Sequence, residues 1–238
     1  MNFNFPEGEV LLVDKPLNWT SFDVVNFIRS FVRKAYNIKK LKVGHAGTLD
    51  PMATGLLIIC TGKLTKQINT FQDMNKVYVG QMQLGATTPS YDKETEVEQT
   101  FDISGLTKNM LTEATTKFVG KIEQIPPLYS AIKIKGERAY KLARRKETVE
   151  LKSREVSIHE FQLMDYQAPL LDFYVNCSKG TYIRSLVRDF GESLQNGAYL
   201  TALKRTQIGE YALKSAWSME SFKQEVIRQT GLIESPEN

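Results

Sequence analysis

Residues 42–57 read KVGHAGTLDPMATGLL. Gly44, Gly47 and Gly55 allow positive φ or close backbone approach, and Pro51 restricts Asp50 to an extended conformation. The loop is built to hold Asp50 in one place. Leu56–Cys60 (LLIIC) follows directly, an apolar run of strand length that reads as a central strand. On spacing alone the plainer reading is favoured, in which Asp50 caps a turn and His45 bonds the backbone, because Asp is common in turns for mechanical reasons.

Working outward, Glu9–Val13 reads as a short buried strand. Thr20 and Ser21 are good N-caps for a helix with Phe22, Val25, Ile28 and Val32 on one stripe, and Asp23 completes a capping-box pattern with Thr20. Thr65–Phe71 reads as a short helix and Lys76–Leu84 as a strand. Residues 85–102 are acidic and turn-like, the pattern of a solvated loop. Thr107–Phe118 carries Leu111, Ala114 and Phe118 at helical spacing, with Gly120 as its stop. Ile125–Leu128 (IPPL) breaks regular structure, and Tyr129–Ile134 reads as a strand. In Leu170–Cys177, Leu171, Phe173, Val175 and Cys177 alternate onto one face. After the turn Ser178–Gly180 comes a helix with Ile183, Leu186, Val187, Phe190 and Leu194 inward, then a strand Tyr199–Ile208 and a helix capped by Ser218. Strands mixed irregularly with helices predict an α+β fold with a mostly antiparallel sheet.

The 238 residues are 42% hydrophobic and 24% charged, which excludes a largely disordered chain and suits one large domain. No apolar run is long enough for a membrane-spanning helix, and the start MNFNFPEGEV has no signal-peptide pattern, so a soluble, cytoplasmic protein with no membrane partner is expected. Cys60 and Cys177 stand far apart and His45 and His159 are the two histidines, a set too poor for a zinc site or a disulfide framework. HExxH, GxSxG and GxGxxG are missing, and Gly62-Lys63 fails the phosphate-loop pattern. No metal and no cofactor is expected. The net charge of +4 is modest, but residues 29–42 hold six basic side chains and no acid, and residues 133–154 hold nine against three. Two such clusters favour a directed field for phosphates over mere solvation.

The segment GHAGTLDPMATGLL resembles the catalytic motif of the tRNA pseudouridine synthase B (TruB) family. VLLVDKP (10–16), KVY (76–78), IPPLYSA (125–131), the stretch 135–143, KGTYIR (179–184) and ALKR (202–205) resemble further family segments in the same order. The resemblance covers roughly residues 9–230. It implies a pseudouridine synthase fold with a mixed, mainly antiparallel sheet flanked by helices, as one catalytic domain over residues 1–232. That domain includes an RNA-gripping thumb at about 124–152, and a polar tail at 233–238 follows it. About thirty residues follow Ile208, fewer than the PUA-type RNA-binding module of many family members needs, so no PUA domain is expected.

The resemblance also implies the activity: isomerisation of the T-loop uridine at position 55 of tRNA, without a cofactor. By motif position Asp50 is the catalytic carboxylate, acting either as nucleophile or as base at the sugar; carboxylates are ionised at neutral pH and suit both roles. Arg184 matches the arginine that pairs with that carboxylate, and Tyr78 the catalytic tyrosine that stacks on the target base and is a candidate for proton transfer. Tyr182 and Leu203 match residues that shape the pocket, and Lys66 a lysine near the site. His45 matches the histidine that helps turn the uridine out of its stack, a step that costs a few kcal/mol. The implied partner is the tRNA T-arm; no DNA and no protein partner is implied, and a monomer is expected. The loop after Leu84 departs from the pattern, with Thr95 where a glycine is common, while Asp92 keeps the acidic position. Two other readings stay open, an RNA-binding protein without catalysis and an unrelated carboxylate hydrolase. A missing second motif-placed acid disfavours the latter.

Overall fold

A computed structural model describes residues 2–130, 132–134, 136–139, 142, 145 and 151–232. The chain divides into two compact units, residues 1–76 with 204–238, and residues 77–203. The fold is α+β, each unit carrying strands of a mixed sheet and flanking helices.

In the first unit the strand Ala53–Thr61 lies beside Val10–Lys15, antiparallel, with Leu12 opposite Ile58 and Lys15 opposite Gly55. The apolar run 56–60 is explained by cover on both faces. Leu57 and Ile59 pack with Leu11, Val13, Val25, Ile28 and Phe222. Leu56, Ile58 and Cys60 pack on the other face with Ala46, Phe71 and Ile208. The helix Ser21–Ala35 starts on the expected capping box: Asp23 N–H donates to Thr20 Oγ1 at 3.0 Å, and Thr20 N–H to Asp23 Oδ2 at 2.8 Å. Its buried stripe is Ser21, Val24, Val25, Ile28 and Val32. Phe22, expected inside, is 58% exposed. At 100° per residue Ser21 continues the line of Val25, Ile28 and Val32, whereas Phe22 falls well off it.

In the second unit the neighbours run from residues 198–203 of the strand Ala198–Ile208 through Lys76–Leu84, Leu170–Cys177 and Arg154–Gln167 to Gly120–Gln124. Leu171, Phe173, Val175 and Cys177 are buried as their alternation predicts. The structure differs from the sequence reading in three places. The first concerns Arg154–Gln167, a fourteen-residue strand that the sequence pattern does not reveal. Val156 and Ile158 point inward, but a register shift before Glu160 makes Phe161 the next buried residue. A bulge of this kind erases the period of two by which a strand is recognised. Next, the helix Lys108–Thr116 ends on Lys117, short of the expected stop at Gly120, and Gly120 instead opens the strand Gly120–Gln124, antiparallel to Arg154–Ile158. Lastly, in place of a strand Tyr129–Ile134 the described residues show only a short pair, Lys133–Ile134 with Glu137–Arg138. Of the expected thumb, Ala131, Lys135, Tyr140, Lys141, Ala143, Arg144 and residues 146–150 lie outside the described residues, as does the tail 233–238.

Residues 85–102 are not the solvated loop their composition suggests. Ala86–Thr87 pairs with Gln99–Thr100, and Thr88, Ser90 and Asp92 are buried. Their polar side chains satisfy one another: Ser90 Oγ donates to Asp92 Oδ1 at 2.6 Å, and Glu94 N–H donates to the same oxygen at 2.9 Å.

Candidate active site

Asp50 sits on the connection between the strands Val43–His45 and Ala53–Thr61, which pair with His45 opposite Ile59. Several bonds hold this connection. Ser21 Oγ accepts from Leu49 N–H at 2.8 Å and donates to Leu49 O at 3.0 Å. Asn18 N–H donates to Pro51 O at 2.9 Å, and Ala53 N–H to Asp50 O at 3.0 Å. Asp50 itself is half-buried.

The strongest hold comes from Arg205, which is 1% exposed. Its Nε donates to Leu56 O at 2.7 Å and its Nη2 to Gly47 O at 3.1 Å, so one guanidinium grips the chain on both sides of Asp50. Gly55 permits this approach. A Cβ there would stand 2.3 Å from Arg205 O, and its φ is +101°. In sequence, Arg205 figures only as the end of the ALKR segment, with no role of its own. Its single signal is a lone arginine within a strand pattern.

Lys15 likewise figures in sequence only within VLLVDKP, with no role of its own. It is fully buried, and its Nζ donates to Pro16 O at 2.9 Å and Trp19 O at 2.6 Å. Burial pulls its ammonium down to about 8, opposed by the negative charge of Asp50 and reinforced by the positive charge of Arg205. His45 is half-buried, and its Nδ1 has no hydrogen-bond partner among the described residues. Burial first, then the Arg205 charge, lower its pKa against a raising interaction with the Gly47 backbone, so the imidazole is neutral at pH 7. Lys66 lies exposed on the 3₁₀ segment Gly62–Gln67.

The second unit carries the other four expected residues. Arg184 is on the first turn of the helix Ile183–Ser193 and is 4% exposed, so it is not a surface charge. Its Nε lies 3.4 Å from Asp92 Oδ2, Nη1 donates to Ser90 O at 3.2 Å, and Nη2 donates to Tyr129 O at 2.9 Å. A buried guanidinium needs such partners, and the buried Asp92 supplies the opposite charge. Tyr182 caps this helix. Its N–H donates to Gln124 Oε1 at 2.8 Å, its carbonyl accepts from Gln124 Nε2 at 3.1 Å, and the Arg154 guanidinium lies 4.5 Å from its ring centroid. Tyr78 is buried on Lys76–Leu84, and Leu203 is half-buried on Ala198–Ile208. The structure therefore groups His45 and Asp50 on one strand–loop of the first unit, and Tyr182 and Arg184 at one helix start of the second. Among the described residues no group of three or more His, Cys, Asp or Glu side chains could hold a metal ion. No described helix is long and apolar enough to cross a membrane.

Residues 33–183 match the family model described as TruB family pseudouridylate synthase, N-terminal domain, and residues 184–235 match the tRNA pseudouridylate synthase B C-terminal domain. The tRNA pseudouridine synthase B of Phocaeicola vulgatus is 54% identical over 219 residues, covering 92% of this chain and 93% of that protein. The protein of the same name from Chlorobaculum tepidum is 45% identical over 229 residues, covering 96% and 95%. Among solved structures, the crystal structure of a Cbf5–Nop10–Gar1 complex superposes with a TM-score of 0.72 at 25% identity. That match covers 96% of this chain and 58% of the other.

Proposed function

Since the chain belongs to the TruB family of pseudouridylate synthases, we propose that it isomerises the T-loop uridine at position 55 of tRNA to pseudouridine. The N1–C1′ bond breaks, the base turns, C5 bonds to C1′, the C5 proton leaves and N1 gains one. Substrate and product are isomers, so the reaction consumes no cofactor. Asp50 is the catalytic carboxylate, Tyr78 stacks on the turned-out base, and Arg184, partnered by the buried Asp92, supplies the positive charge of the catalytic set. Tyr182 and Leu203 shape the pocket, Lys66 serves substrate binding, and neutral His45 helps displace the uridine from its stack.

The observation that carries this reading is the immobilised Asp50 loop. The backbone on both sides of Asp50 is gripped by Arg205, Ser21 and Asn18, which fixes where its carboxylate stands as nucleophile or base, and well-oriented groups gain several kcal/mol over free ones. The buried, partnered Arg184 supports the second role. Residues 1–232 act as one catalytic domain with the stretch 124–152 as thumb, and the enzyme works as a monomer in the cytoplasm, where its tRNA is. The test incubates the protein with an unmodified tRNA transcript and maps pseudouridine by carbodiimide labelling and primer extension. A single new stop at the T-loop uridine, absent with Asp50→Asn, is expected. No stop with the wild-type protein refutes the reading.

A further inference from the structure

On the helix Ser21–Ala35, Phe22, Asn26, Arg29 and Arg33 recur at i, i+4, i+7 and i+11 and so share one stripe, opposite in character to the buried one. Phe22 is 58% exposed, and the neighbouring Leu17 is 51% exposed. The Arg29 guanidinium carbon stands 5.9 Å from the Phe22 ring centroid, while its Nη groups reach Asn26 Oδ1 and Val43 O. Arg33, Lys34, Lys39, Lys40 and Lys42 are exposed at the far end, and residues 29–42 contain no acid. The near end is stitched to the loop of Asp50 by the Ser21–Leu49 bonds, and Val43 lies two residues before His45.

We infer that this stripe is an RNA-binding track. A nucleobase or ribose outside the reacting nucleotide stacks on Phe22, and phosphates follow at Arg29 and Arg33, the track from Phe22 to Arg33 running about 16 Å along the helix. An aromatic face beside a guanidinium, continued by cations alone, is the combination that holds a nucleotide strand without reading its sequence. The inference rests on the proposed tRNA substrate and adds a specific binding surface to it.

The test measures equilibrium binding of an unmodified tRNA transcript in the Asp50→Asn background, so turnover does not intervene. Adding Phe22→Ala should raise Kd about 5- to 150-fold. Adding Arg29→Gln with Arg33→Gln should flatten the plot of log K against log salt by about 0.7–0.9 for each phosphate that is no longer neutralised. Far-ultraviolet circular dichroism and melting curves keep only folded variants in the comparison. Because Phe22 is exposed, its removal leaves the core intact. If wild-type protein makes pseudouridine but both variants bind as tightly and with the same salt slope, the track is overturned while the enzyme reading stands. A dimer in sedimentation that Phe22→Ala dissociates, with RNA affinity unmoved, also overturns it, in favour of a protein–protein interface. Failure of wild-type turnover would strike the functional reading instead.

Discussion

Replacing Arg205 by Ala removes the two charged donors that grip the Asp50 loop. Leu56 O is then left without its partner in a buried setting, and the half-buried Gly47 O loses its own. A buried polar group left unsatisfied costs about 1–3 kcal/mol and a half-buried one less, so the pair costs at most about 2–6 kcal/mol. At about 2–4 °C per kcal/mol for a chain of this size, a loss near the middle of that range lowers Tm by about 8–16 °C. Trp19 and Trp217 both belong to the first unit with Arg205 and pack against its core, so intrinsic fluorescence reports on the affected part. The assay is urea unfolding followed by tryptophan emission, for wild type, Arg205→Ala and Arg205→Lys. The lysine ammonium lacks the guanidinium fork and should give an intermediate loss, with a drop in kcat out of proportion to its stability, since displacing a catalytic group by about 1 Å can cost 10²-fold. A loss below about 1 kcal/mol in Arg205→Ala, with unchanged turnover, would refute the claim that this residue holds the loop.

Two further predictions concern titration and thiol reactivity. Lys15 is held near pKa 8 in the fold against 10.5 ordinarily, so between those values the unfolded chain binds a proton that the folded one does not. Stability should therefore gain with pH across that window, and subtracting the profile of Lys15→Met isolates the gain; identical slopes for the two proteins would contradict the burial of that ammonium. Cys60 is buried with its thiol pushed up to about 11, and Cys177 is buried as well. Neither should react with a disulfide reagent at pH 8 until denaturant is added, and stoichiometric labelling of native protein would count against the packing described.

Much of the fold is legible in the sequence because local pattern and tertiary role coincide. LLIIC is apolar on both faces because it is covered on both, and Thr20–Asp23 announces a helix start that the structure forms bond for bond. Legibility fails where packing overrides period. The bulge before Glu160 hides a fourteen-residue strand, and Ser90 and Asp92 look solvated because polar residues that satisfy one another inside a fold have the composition of a surface loop. Among site residues, Asp50 and Arg184 emerge through family resemblance. Spacing alone favours a turn for the first and does not exclude a surface charge for the second. Arg205 and Lys15 stay hidden because their function depends on backbone carbonyls, which no side-chain motif displays.

The central claim is that Asp50 drives the exchange of a C1′–N1 bond for a C1′–C5 bond on uridine. That exchange expels the hydrogen at C5. A tRNA transcript tritiated at C5 of its uridines, mixed with excess protein in a single turnover, should release the label of one uridine per tRNA to water with the wild-type protein. Asp50→Asn should release none while still binding the transcript. Release at equal rates by both proteins, or no release by a wild-type protein that has bound its tRNA, would contradict the account.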